Sequence, residues 1–467
     1  MSKSISELRN MLNQRTNEST AELEKMGKLS ARQRMDVIFD QGTFVETGAF
    51  VGSGDKDSSD GYGAVITGYG SIDGYLVFAF AQDYSRLHGA MSVEQTAKIA
   101  NIIQMAADKG TPLIGVFDSA GAKIDDGLST LDNLGIAIST LTACKFDEPT
   151  IAVISGPCGG AAAVFASMFD YKIISRQSGS LYMTPKVALE DKTLVEADAL
   201  LENGFVDIVA DNDEAACKEA ADICRYYSTT AAENINDSAE RDFSADVLSG
   251  EYDVHDVINE LVDKGSFKEL QATHAKSVVT GLGFIDGIPV GIVANNRAKN
   301  NGKLCACGAK KAAEFVNMLN RTCLPVVTLV DSEGTVMADK VEIRGLAKNM
   351  AGLAEAYSDI ADNGCSGVTV VIGNAFGTVL TVMGSKSLGI SMSFALDNAK
   401  IGVMNPSTAV EFLGKVDDES KAKQTAEKWA ETNSSPLEAA REGFVDDIIE
   451  TSELRARVAA SLLMLQT

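Results

Sequence analysis

The stretch GPCGGAAAVFASM (156–168) follows the apolar run TIAVIS and places glycines where a strand turns into a helix. AAAVFASM reads as that helix. The peptide N–H groups of Gly159, Gly160 and Ala161 then stand at its start, where no intrahelical acceptor exists. Such donors, aided by the helix dipole, can hold negative charge developing on a carbonyl oxygen. Small residues at this place also serve a simpler end, close packing of helix on sheet, and both readings stand. A second version is NAFGTVLTVM (374–383), with one glycine, Gly377, followed by Thr378 and Val379. In DSAGAKIDDG (118–127), Asp118 reads as a turn former and Lys123 as a partner for an anionic ligand or a solvated charge. His88, in QDYSRLHGAMS, reads as a loop histidine rather than a base.

Other chemistries lack their usual residues. There is no GxSxG elbow, no GxxxxGK[ST] loop and no complete GxGxxG, since the GYG at 68–70 has no third glycine in place. The three histidines (88, 255, 274) are scattered. The eight cysteines form no CxxC pair, and Cys305 with Cys307 makes a lone CxC, short of the four ligands a structural zinc needs. No metal site is expected, and the cysteines read as reduced, buried thiols.

The elements that position these turns come twice. VITGYGSIDGYLVFAFAQD (65–83) returns as VVTGLGFIDGIPVGIVANN (278–296), nearly half of it identical and without a gap. Each reads as two strands joined by an Asp-Gly hairpin turn, Asp73-Gly74 and Asp286-Gly287. Further matches keep the order: FDQGTFVE (39–46) with VDKGSFKE (262–269), and LIGVFDSAGAK (113–123) with VVTLVDSEGTV (326–336). IAVISGPCGGAA (151–162) pairs with VTVVIGNAFGTV (368–379), YMTP (182–185) with VMNP (403–406), and NGFVDIV (203–209) with EGFVDDII (442–449). VEQTAKIANIIQMAADKG (93–110) and KKAAEFVNMLNRT (310–322) show helical spacing of apolar residues. The pattern predicts an α/β chain made of two duplicated domains, each of repeated ββα units. We place an N-terminal helix at 1–26, the first domain at 27–227, a polar linker at 228–253 and the second domain at 254–467.

A formal charge of −24 argues against a nucleic-acid partner. The N-terminus is polar and helical in pattern and no run of 18 apolar residues occurs, so a cytoplasmic protein is expected, attached to a membrane only through a partner subunit.

VITGYGSIDGYLVFAFAQDYS, FDSAGAKIDDG, ISGPCGGAA, REGFVDDII and the opening GKLSARQRMDVIFDQGTFVE (27–46) resemble the carboxyltransferase subunits of biotin-dependent acyl-CoA carboxylases and decarboxylases. These include propionyl-CoA carboxylase β and methylmalonyl-CoA decarboxylase α subunits. The resemblance covers about 27–467. It implies two tandem crotonase-like domains (ββα superhelices), a hexamer built as a trimer of dimers, and an active site where the first domain of one subunit meets the second domain of its partner. It also implies a biotin cofactor carried, as carboxybiotin, on a separate carrier protein. Further implied are a biotin carboxylase or membrane decarboxylase partner, and a coenzyme A thioester as substrate, with propionyl- or methylmalonyl-CoA favoured and acetyl- or malonyl-CoA open. The family's mechanism uses two holes of peptide N–H groups, one for the thioester and one for the biotin ureido oxygen. Carried over, the first falls on Gly159, Gly160 and Ala161 and the second on Gly377, Thr378 and Val379. Ligand contacts fall on Ser119, Gly121, Lys123, Gly156, Pro157 and Cys158. Phe376-Gly377-Thr378-Val379 stands where the family has Tyr-Gly-Gly-Ala, and VDSEGTVMADKVEIRG replaces a Pro-Gly-Phe-Leu-Pro-Gly run. The β-branched pair is expected to narrow the second turn and crowd its pocket. Two alternatives follow: a weakened paralogue acting as a structural subunit, and a biotin-independent crotonase-type acyl-CoA enzyme.

Overall fold

A computed structural model describes residues 4–52, 63–144, 146–228, 241–414 and 422–466. The chain divides into two compact units, Met1–Ala231 and Ala232–Thr467. The first carries strands β1 (Val45–Thr47), β2 (Val65–Ile72), β3 (Tyr75–Gln82), β4 (Leu113–Ser119), β5 (Thr150–Gly159), β6 (Tyr171–Ser175), β7 (Ser180–Tyr182) and β8 (Ile208–Ala210). The second carries β9 (Lys268–Leu270), β10 (Val278–Ile285), β11 (Ile288–Asn295), β12 (Val326–Ser332), β13 (Gly367–Phe376), β14 (Met392–Leu396), β15 (Lys400–Gly402) and β16 (Asp447–Ile449).

The two sheets have one topology. The first runs β1-β2-β3-β4-β5-β6-β8 with β7 set on β5; the second runs β9-β10-β11-β12-β13-β14-β16 with β15 set on β13. The opening strands are antiparallel and all pairings from β3–β4 and β11–β12 onward are parallel. This is the mixed, duplicated α/β architecture expected from the repeats. The central strands β4 and β12 are buried along their whole length, in keeping with their apolar openings LIGVF and VVTLV.

The repeated hairpin is a local consequence of its turn residues. Asp73 (φ 50°) with Gly74 (φ 81°), and Asp286 (φ 52°) with Gly287 (φ 74°), adopt the left-handed pair a two-residue turn demands. A second repeated motif holds each turn. Asp40 accepts from the amides of Asp73 and Gly74 (both 3.1 Å), and Asp263 accepts from those of Asp286 (2.9 Å) and Gly287 (2.8 Å).

The helix Val93–Lys109 is capped by Ser92 and ends on left-handed Gly110. Its counterpart begins at Ala306, four residues before the expected start, and runs to Thr322. The Cys305 sulfur caps it, 3.3 Å from the Gly308 amide, so the lone CxC lies at a helix start. Each helix carries a buried lysine aimed at backbone: Lys98 at Val65 O (2.7 Å), and Lys311 at Gln271 O, His274 O and Val278 O (2.9–3.1 Å). Burial lowers the Lys98 pKa to about 8.

The interval 228–253 is described only from 241 onward, apart from Ser228. There Phe243 is buried in the core of the second unit and Arg241 donates to the carbonyls of Glu260 and Val262 (both 2.8 Å). One motif pairing is shifted. The ladders set Tyr182 against Gly159 and Gly402 against Phe376, so Tyr182 corresponds to Gly402, not to Val403 as the YMTP/VMNP match suggested.

Candidate active site

Both glycine turns sit at equivalent places, the ends of β5 and β13. Gly160 (φ 59°, ψ −130°) and Gly377 (φ 65°, ψ −146°) have nearly the same backbone, a combination that L side chains strongly disfavour. Each starts a short helix, Ala161–Ser167 and Thr378–Val382. The glycine amide itself is engaged in both: Gly160 N donates to Tyr182 O (2.9 Å) and Gly377 N to Gly402 O (3.0 Å). Ala163 and Val164 donate back to Gly160 O, and Leu380 to Gly377 O. The amides with no described acceptor are therefore those of Ala161 and Ala162 in the first turn, and Thr378 and Val379 in the second.

The expected crowding of the second turn does not arise. Val379 turns its side chain into the core and is fully buried, while Thr378 is exposed. The apparent drift at Phe376 is compensated across the ladder. In the first unit a side chain on Gly159 would come within 2.5 Å of the Tyr182 ring, so the large residue lies on β7 and the small one on β5. In the second unit Phe376 is the large, buried partner and Gly402 the small one. Bulk has changed strands and the backbone has stayed.

Beneath the first turn lies a buried ionic cluster that the sequence reading missed. Asp118, expected to form a turn, is fully buried: Lys28 Nζ and Arg34 Nη2 each donate to it at 2.7 Å. The Asp118 backbone amide in turn donates to the Gln82 side-chain oxygen (2.9 Å). Arg34 also reaches Asp213 Oδ2 (2.8 Å) and Gln82 O (3.0 Å). Burial alone would lower the Arg34 pKa, but Asp213 and Asp118 overcome it and raise it. Gly156 admits this arrangement, since a Cβ there would stand 1.8 Å from Asp118 Oδ1. In the second unit Asp331 accepts from Tyr252 OH and from Arg297 (3.1 Å), and a Cβ on Gly373 would meet its carboxylate at 2.4 Å. The signal was present in the paired glycines of ISGPCGG and VIGNAFG; the cationic partners, from distant segments, left none.

The remaining candidates fall on three sides of the first turn. Ser119 is buried, and its hydroxyl accepts from Gly121 N (3.0 Å), closing a tight loop around Gly121 (φ 114°). Lys123 pairs with Asp126 (3.2 Å). Pro157 is half-buried on the β7 side, and Cys158 is fully buried, with its thiol pKa raised first by burial and then by Asp118. Cys158 is thus no nucleophile. His88 (φ 54°) packs against Tyr84 with the rings tilted and their centroids 5.2 Å apart. Among the described residues no group of His, Cys, Asp and Glu could hold a metal ion, and no helix is long and apolar enough to cross a membrane.

A cavity of about 450 Å³ opens at the second turn. Its lining includes Phe376, Asn374, Asn405, Glu333, Arg297 and Tyr252. The lining also carries Asp331, Lys400, Lys423 and Glu427, so charged groups of both signs face it.

Duplicated mixed sheets, each carrying a glycine turn from strand into helix, define a duplicated α/β fold of the crotonase-like kind. Residues 22–467 match the carboxyl transferase domain model. The chain is 31% identical to the carboxyltransferase subunit of propionyl-CoA carboxylase from Haloferax mediterranei, covering 94% of this chain and 91% of that one. It is 30% identical to methylmalonyl-CoA decarboxylase subunit alpha from Veillonella parvula, covering 94% and 90%. Its fold superposes on transcarboxylase 12S, solved with hydrolysed methylmalonyl-coenzyme A bound, with a TM-score of 0.90 and 28% identity over 100% of this chain and 96% of that one. This chain belongs to the carboxyl transferase domain family and is a carboxyltransferase.

Proposed function

We propose that the protein moves a carboxyl group between a biotin-bearing carrier and a short acyl-CoA, with propionyl-CoA and methylmalonyl-CoA as the favoured pair. The observation that carries this reading is the pair of equivalent turns, each leaving two peptide amides without a described acceptor on a backbone that only glycine readily permits. In the first, Ala161 and Ala162 would polarise the thioester carbonyl and stabilise the enolate oxygen. In the second, the amide of exposed Thr378 would hold the ureido oxygen. The residues present fit a biotin ring: the second turn lies beside a polar cavity large enough for it. When bound, carboxybiotin supplies the transferable carboxyl group. The net exchange swaps that group and the α-proton between ring nitrogen and α-carbon, so no protein base is required. The thioester contacts would be completed by Pro157, Gly159, Gly160, Gly121 and Lys123, with buried Gly156, Cys158 and Ser119 shaping the turn behind them.

The two units would act as two domains, 27–227 and 254–467, joined through 228–253. The working protein would be a homo-hexamer, supported by the hexamer assembly of transcarboxylase 12S. Its partners would be a biotin carrier and either a biotin carboxylase or a membrane decarboxylase subunit, and its place the cytoplasm.

The test is direct. The purified protein is mixed with biotin or a biotinylated carrier and with labelled methylmalonyl-CoA, propionyl-CoA or malonyl-CoA. Biotin-dependent loss or exchange of label is expected. None with any of the three refutes the reading.

A further inference from the structure

The duplication supplies an internal control for every residue around the second turn. Three segments meet there: the loop after β12, the end of β13, and the start of the helix Pro406–Phe412. Their equivalents in the first unit are fixed by geometry. Glu333 N donates to Asn301 O (3.1 Å) as Ala120 N donates to His88 O (2.8 Å). Asn374 occupies the ladder place of Pro157. Asn405 (φ −53°, ψ 133°) stands where Pro185 (φ −52°, ψ 137°) stands. Ala120, Pro157 and Pro185 are thus replaced together by Glu333, Asn374 and Asn405.

The three substituted residues bond to one another. Asn374 Nδ2 donates to Glu333 Oε1 (2.6 Å) and Asn405 Nδ2 to Glu333 Oε2 (2.7 Å). The Asn374 amide donates to Asp331 Oδ1 (2.8 Å) and Asn405 Oδ1 accepts from Ser407 N (3.0 Å), so both donors are themselves fixed. Glu333 forms no ion pair among the described residues, and Arg297 is paired with Asp331. A carboxylate offers about four lone-pair directions. Two are used by the asparagines, and the residue lines the cavity. A carboxylate held rigidly by neutral donors is an acceptor set for a ligand N–H, and it disfavours an anion in the same place.

We propose that Glu333, oriented by Asn374 and Asn405, is a specificity-determining residue of the second unit, accepting a ring N–H of the ureido head group in the cavity that it lines. This rests on the functional reading above. It assigns to the second cavity a ligand that presents an N–H donor to Glu333. The first unit, with Ala120, Pro157 and Pro185 in the same places, has no such acceptor.

The experiment is steady-state, biotin-dependent decarboxylation of methylmalonyl-CoA by the full chain, with free biotin varied against fixed thioester and the reverse. Loss of a charged hydrogen bond predicts that Glu333→Ala raises the KM for biotin about tenfold or more. The KM for methylmalonyl-CoA should stay within about twofold, because the first turn is untouched. Asn374→Ala and Asn405→Ala should shift the biotin KM the same way by less, since the carboxylate remains but loses its orientation. Glu333→Gln keeps the shape and one acceptor, should fall between, and decides the matter if the alanine variant does not fold. A biotin KM within twofold of the parent in the folded variants overturns the proposal, as does a parallel rise in both KM values. An unaltered enzyme that shows no biotin dependence overturns the functional reading, and this assignment with it.

Discussion

Substituting Gly156 with alanine should destabilise the first unit by disrupting its buried ions. The added Cβ would lie 1.8 Å from Asp118 Oδ1, 2.5 Å from Asp118 Cγ and 2.7 Å from Lys28 Nζ. For the oxygen alone to withdraw to an ordinary contact near 3.4 Å, it must move by about 1.6 Å. No such movement preserves both 2.7 Å bonds, to Lys28 and to Arg34, because the strand that carries Asp118 is hydrogen-bonded on either side. Breaking a buried pair and leaving its charges uncompensated costs about 3–5 kcal/mol. In a unit of this size each kcal/mol lowers the melting temperature by about 2–4 °C, so the expected loss is roughly 6–20 °C. The assay is differential scanning calorimetry of Gly156→Ala beside the parent. Gly110→Ala serves as a control, where a Cβ meets nothing within 4 Å and only the left-handed φ is strained. If Gly156→Ala melts within about 2 °C of the parent, Asp118 is not held against residue 156 and the account of this cluster is wrong.

Ala161→Pro removes one open amide from a first helical position, where proline is tolerated, so melting should change little. Turnover should fall by about 10²–10³ if that amide stabilises the oxyanion, and unchanged turnover would exclude it from the site. Bonding to Glu269 and to Asp253 raises the His255 pKa to about 9, above its unbound 6.5. Its stabilising contribution is therefore complete below pH 6.5 and disappears as pH rises through about 9. Urea midpoints at pH 6 and pH 9.5 should fall further apart in the parent than in His255→Gln, and equal differences would refute this. Thiol titration with a disulfide reagent should modify exposed Cys323 first, with Cys158, Cys217 and Cys224 reacting only on unfolding. Rapid modification of any of those three in the folded protein would contradict their burial.

The sequence by itself determined the duplication, the hairpins and the places of both glycine turns. These are set by short-range rules: Asp-Gly accepts the left-handed pair, apolar runs of strand length need burial on both faces, and Gly160 and Gly377 take a backbone closed to side chains. Tertiary structure decided what short segments do not encode. It placed Lys28, Arg34 and Asp213 on Asp118, because ion partners from far-apart segments carry no mutual spacing in sequence. It set Tyr182 against Gly159 and Phe376 against Gly402, since strand register depends on packing across the ladder, and so showed that the second turn kept its backbone while its residues changed. It also gathered Glu333, Asn374 and Asn405 from three separate segments, a contact visible only once β12, β13 and the helix Pro406–Phe412 converge.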